Sequence, residues 1–163
     1  MLSKLNVIGI FVTILNLVTS ASLSYFLTDS LTNNTDALNL VANVFSILSG
    51  FLLLVITISG ENSLAIGTLS EKDIVNQEIR FAMRFNKYYS LFLLYISTLA
   101  LIFIYFLLLK SDFKNDIVNA TIKPSIGYTI SFLTFFSFIQ STFIPIKIKS
   151  LFKEKRELTS SNL

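Results

Sequence analysis

The sequence predicts an all-α polytopic membrane protein: four transmembrane helices, with a cytoplasmic helical extension of the third. The placement of charge predicts it first. All 13 Lys and Arg and all 10 Asp and Glu lie outside four apolar stretches, residues 5–27, 37–59, 88–109 and 125–146. Stretch length predicts it second, because each has about the 20 residues a helix needs to cross a bilayer core. The rest of the 163 residues is too short for a separate soluble core. Residues 1–163 therefore read as a single membrane domain, with a loop over 60–87 and a tail over 147–163.

Span one starts after Lys4. The run from Leu5 to Val18 followed by Thr19-Ser20-Ala21 resembles a signal peptide with its cleavage site. A retained first span is the simpler expectation. Orientation follows from the positive-inside rule. Lys4, the second loop (Lys72, Arg80, Arg84, Lys87) and the tail (Lys147, Lys149, Lys153, Lys155, Arg156) lie on one side of the predicted spans. The other side has Lys110, Lys114 and Lys123, and its first loop, residues 28–36, has no Lys or Arg. Both termini are expected in the cytoplasm. Asn33-Asn34-Thr35 and Asn119-Ala120-Thr121 match the N-glycosylation sequon in the outer loops, as chance allows in an Asn- and Thr-rich chain. The abundance of Asn, Lys, Ile, Phe and Ser suggests a bacterial source, hence the inner membrane.

Polar residues inside the spans fall in stripes. Span one carries Asn6, Gly9, Thr13, Asn16 and Ser20, at steps of 3, 4, 3 and 4. Span two carries Asn39, Asn43, Ser46, Gly50 and Thr57, at steps of 4, 3, 4 and 7. Span four carries Gly127, Thr134, Ser137 and Ser141 on one face, with Gln140 beside it. Such spacing puts each set on one side of a helix. An amide facing lipid leaves donors and acceptors unpaired, at several kcal/mol on alkane-like scales. Small and polar residues therefore turn towards other helices. Spans one, two and four are expected to form the packed core. Span three, rich in Leu, Phe, Ile and Tyr, is expected to be the most lipid-exposed. The stripes fit packing within one protomer, an oligomer seam, or the lining of a water-filled path with Asn16 and Asn43 at its constriction.

On the cytoplasmic side, Ser70 suits a helix cap, and Glu71 and Asp73 suit the positive end of the helix dipole. Ile74, Val75, Ile79, Ala82 and Met83 then recur at helical spacing. With no Gly or Pro before span three, one helix is expected from Glu71 to about Leu109, entering the membrane near Tyr88 and Tyr89. Its wet part, residues 71–87, projects roughly 25 Å at 1.5 Å per residue. Ile74, Val75, Glu78, Arg80 and Arg84 are its candidate partner-binding residues. In the tail, Ile148, Leu151 and Phe152 alternate with Lys147, Lys149, Lys153, Lys155 and Arg156. That pattern suits anionic lipid headgroups. Pro145 is expected to kink or end span four.

Composition removes most chemistry. Cys and His are both 0, so there is no disulfide framework, thiolate site or imidazole base. The loop cysteines of claudins and tetraspanins are missing. So is the embedded Glu of small multidrug transporters. No Gly-rich phosphate loop is present. The expectations are no enzyme activity, no cofactor and no metal. The basic pI of about 9.2 reflects charge at the membrane boundary rather than direct nucleic-acid binding.

Three functions remain. The first is a small oligomeric inner-membrane anchor or sensor that recruits a soluble cytoplasmic protein. The second is a pore-forming or depolarising effector of holin or toxin type. The third is an assembly or immunity factor for a larger membrane complex, which no residue favours over the first. The short four-span chain, with both termini inside and a helical cytoplasmic projection, resembles the membrane subunit of the Kiwa bacterial anti-phage defence system. The resemblance is one of architecture over the whole chain and carries over no residue's role. It implies an oligomeric membrane sensor working with a soluble nucleic-acid-binding partner.

Overall fold

A computed structural model describes residues 7–61, 71–110, 117–145 and Lys149. Helix α1 covers Val7–Thr32, α2 Thr35–Glu61, α3 Glu71–Lys110 and α4 Lys123–Ser141, with a wider π-helical turn at Val118–Ile122 before α4. No strand occurs among the described residues. Four segments are long and apolar enough to cross a membrane: Gly9–Thr32, Thr35–Thr57, Phe85–Lys110 and Val118–Ser141. The physical reason for an all-helical chain is that hydrocarbon offers no partner to a backbone N–H or C=O, so each segment must satisfy its own. Large apolar side chains point outwards on every helix, among them Phe11, Phe26, Ile47, Phe103 and Tyr128. That outside suits lipid and would be a liability in water.

The first turn is tighter than the sequence suggests. Residues 28–32 belong to α1, and only Asn33 and Asn34 separate it from α2. Asn34 explains this. Its Oδ1 accepts the backbone N–H groups of Asp36 and Ala37, each at 3.1 Å, and so caps α2. Asp36 then sits in the first turn, where the helix dipole favours an anion. Asn34→Ala is expected to cost about 1 kcal/mol, and Asn34→Asp to restore most of it, read as thermal unfolding in detergent.

Span four also begins and ends differently from the expectation of 125–146. It starts in the π turn, where Lys123 N–H donates to Val118 O. Pro124 lies at the first positions of α4, and its ring cannot fit an ordinary turn against the carbonyl four residues back. At the other end α4 stops at Ser141, and Phe143 N–H turns back to Gln140 O at 3.2 Å. Pro145 supplies no N–H for the Ser141 carbonyl, so the regular ladder has to finish there.

The helices pack as two pairs. α1 lies mainly on α4 and α2 mainly on α3; α3 and α4 join the pairs, and α1 touches α2 only lightly. The expectation that spans one, two and four form the core, with span three in lipid, is therefore corrected. α3 buries Tyr88, Tyr95, Thr98, Ile102 and Tyr105, while α2 buries Leu38, Val41, Phe45, Leu52 and Val55. With half-buried Leu91 and Leu48, both sets follow steps of 3 and 4 along the whole span. This is the heptad spacing by which knobs of one helix enter holes of another. Phe45 is the junction. Its ring stacks on Tyr95 at 5.0 Å and lies 5.1 Å from the ring of Phe138 on α4. Large interlocking side chains, rather than amides, hold α2 within the protomer.

The α1–α4 pair uses the opposite means. Asn16, Ser20, Ser24, Thr28 and Thr32 are buried at strict intervals of four, and on α4 Gly127, Ser131, Thr134 and Ser137 are buried. Small residues at this interval let two backbones approach closely. A Cβ on Gly127 would stand 3.1 Å from Thr32 Cγ2 and 3.9 Å from Thr28 Cγ2.

Candidate functional site: two polar stripes and a helical projection

The interior stripe is rich in hydroxyls. Thr28 donates to Ser24 O at 2.6 Å and Thr32 to Thr28 O at 2.9 Å, the usual way a hydroxyl is satisfied inside a helix. Ser24 Oγ reaches across to Tyr128 O at 3.3 Å, tying α1 to α4. Tyr95 OH pairs with Ser141 Oγ, which also donates to Ser137 O, tying α3 to α4. Ser20 Oγ donates to Asn16 Oδ1 at 3.1 Å, which leaves the Asn16 Nδ2 without a partner. The hydroxyls of Ser49, Ser131, Thr134 and Ser137 are likewise buried and unpaired. Each such group costs about 1–3 kcal/mol unless something completes it. The stripe therefore offers hydrogen-bonding capacity and close helix approach, with no charged group in it.

The sequence-predicted residues divide between inside and outside. Of the span-one set, Asn16 and Ser20 are buried, whereas Gly9 and Thr13 are exposed; Thr13 donates to Gly9 O at 2.9 Å. Asn6 lies outside the described residues. Thr134 and Ser137 are buried, and Ser141 is half-buried. Asn39, Asn43, Ser46, Gly50 and Thr57 are all exposed, because α2 gives its opposite face to α3. Asn16 and Asn43 thus do not meet in the protomer's interior, as a shared constriction within one chain requires. Ser24, Thr28, Thr32, Ser49, Tyr95, Thr98 and Ser131 are also buried, though the sequence does not single them out. The interval of four that marks the α1 residues runs unbroken from Asn16, but beyond Leu27 it passes into Thr28 and Thr32, whose neighbours have loop composition.

The third feature is the length of α3. Its 40 residues form one helix, yet the apolar segment begins only at Phe85. Phe85 and Tyr89 stack at 5.9 Å, and aromatic side chains are enriched at membrane interfaces. Ahead of them Ile79 and Met83 are 52% and 61% exposed, and a spacing of four puts them on one face. Ile74, Val75, Glu78, Arg80 and Arg84 lie on the same helix by backbone position; their side chains are outside the described set. So are Lys147, Lys153, Lys155 and Arg156 of the tail, while Lys149 is described and exposed.

Among the described residues no group of three or more His, Cys, Asp or Glu gathers to hold a metal. Comparison of the chain with protein-family models, with curated proteins and with solved structures finds no match.

Proposed function

We propose that this protein is a small oligomeric anchor or sensor in a bacterial inner membrane, with both termini inside, whose third helix projects into the cytoplasm to recruit a soluble protein. The continuity of α3 carries this reading. A helix that begins at Glu71 and becomes apolar only at Phe85 projects roughly 20 Å beyond its span at 1.5 Å per residue. Its exposed Ile79 and Met83 supply the pair of apolar anchors that helix-in-groove recognition uses. The tail's Lys147, Lys149, Lys153, Lys155 and Arg156 give it the positive charge that anionic headgroups attract. The spans carry amides and hydroxyls, which suit packing and register more than turnover. A role in anti-phage defence rests on the architectural likeness alone.

A helix break tests the reading. Ala82→Pro in the full chain removes a backbone donor and bends α3 below the membrane. The protein is expected to remain in the membrane fraction while capture of its soluble partner is lost. Retained capture would remove the projection from the account.

A second reading, a pore or depolarising effector, draws on the buried unpaired groups, the Asn16 Nδ2 among them, which water completes where it reaches them. Ion leak from proteoliposomes decides between the two. The anchor reading expects the same leak from the native chain and from Asn16→Leu. A fall of tenfold or more in the variant would transfer the assignment to a pore.

A further inference from the structure

The outward face of α2 is the least explained part of the molecule. Asn39, Asn43, Ser46, Gly50, Leu53 and Thr57 all stand exposed on it. The cap at Asn34 fixes depth. Asn43 lies nine residues along the helix, roughly 13 Å at 1.5 Å per residue, and so within a hydrocarbon core about 30 Å thick. The two hydroxyls on the stripe solve their own solvation. Ser46 donates to Ala42 O at 2.8 Å and Thr57 to Leu53 O at 2.9 Å. A carboxamide has two donors and an acceptor, more than one backbone carbonyl completes. The Asn43 side chain makes no hydrogen bond among the described residues, so in lipid it would carry the full penalty of an unpaired amide. Two turns further along, a Cβ on Gly50 would meet nothing within 4 Å, so the face is open to a close backbone.

We propose that this face seats a second copy of the chain, α2 against α2. The inference rests on the oligomeric reading above and assigns its seam. Three properties select a second copy over any other occupant. An amide is its own complement, since the donor of one completes the acceptor of the other. The stripe bears no charge that would select an oppositely charged partner. Copies inserted with the same topology lie parallel, so equivalent residues share one depth. Steps of 4, 3, 4, 3 and 4 from Asn39 to Thr57 then make these six positions the a and d sites of a parallel pair. Asn43 meets its own equivalent, with Gly50 as the point of closest approach. The same helix keeps Leu38, Val41, Phe45, Leu52 and Val55 on its far side for α3, so dimerisation needs no repacking of the protomer.

The chain has no Cys, so single cysteines report the seam directly. Full-length Asn43→Cys, Ser46→Cys and Gly50→Cys, oxidised in membranes with copper phenanthroline, are expected to give at least fivefold more disulfide dimer than Leu40→Cys, Ile47→Cys and Phe51→Cys. Those three mark the lipid side of α2, all exposed and off the stripe. Separately, Asn43→Leu is expected to raise the dimer dissociation constant about tenfold by native mass spectrometry from lipid nanodiscs, while Asn43→Gln holds it within about threefold. Equal crosslinking on both faces, or more on the lipid side, overturns the assignment. So does a dimer that crosslinks instead through exposed α1 positions such as Phe11, Ile14 or Val18, although the oligomeric reading then stands. A monomer in every sample overturns both.

Discussion

Gly127→Leu in the full chain is expected to lower the stability of the helix bundle by about 3 kcal/mol, the upper end of the range for overpacking a close contact. The single Cβ of alanine would already stand 3.1 Å from Thr32 Cγ2, and a leucine adds three carbons where α1 has backbone and hydroxyls. The two helices must separate, and the Ser24–Tyr128 bond at 3.3 Å goes with them. Because lipid is as apolar as a leucine side chain, burial of the new methyls returns little. Thermal unfolding in detergent reads the loss. A double-mutant cycle with Thr32→Ala tests the cause: the pair is expected to recover at least 1 kcal/mol relative to the sum of the singles. Additive losses would mean that Gly127 matters for some reason other than its approach to α1.

The joint substitution Ile79→Asp and Met83→Asp is expected to weaken capture of the soluble partner about a hundredfold, since two anchor residues lose more than 1 kcal/mol each on truncation or reversal of polarity. Both side chains are exposed, so the fold has little to lose. The control is Ile47→Leu, an exposed change on the lipid side of α2, which is expected to leave capture unchanged. If the double variant instead releases α3 from the membrane surface without altering capture, those two residues face headgroups and the partner sits elsewhere.

Much of the architecture is legible in the residues. The expulsion of charge from four apolar runs gives the spans, and the unbroken composition from Glu71 onwards gives the long third helix. The inner and outer faces were harder. The polar stripe of α2 has the spacing of a packing seam, and spacing alone does not say whether the seam lies inside a protomer or between two. The decision belonged to the opposite face, where Leu38, Val41, Phe45, Leu48, Leu52 and Val55 match Tyr88, Leu91, Tyr95, Thr98, Ile102 and Tyr105 in period. That face was hidden in the sequence because nearly every residue around it is also apolar. For the same reason span three looked like a lipid helix, although its tyrosines are the aromatic half of the α2–α3 interface. The turn at Asn33 and Asn34 is hard to read from sequence because Thr28, Asp29 and Thr32 have loop composition, and only the approach of Thr28 and Thr32 to Gly127 on α4 shows that the helix continues through them.

In the proposed function the chain holds a soluble protein at the membrane through α3. The most direct test is a pull-down of the full-length, C-terminally tagged protein, co-expressed with the products of its neighbouring genes and examined by native mass spectrometry in detergent. A stoichiometric complex with one soluble protein, lost in the Ile79→Asp and Met83→Asp chain, is the result the account predicts. A homo-oligomer that carries no soluble protein would contradict it.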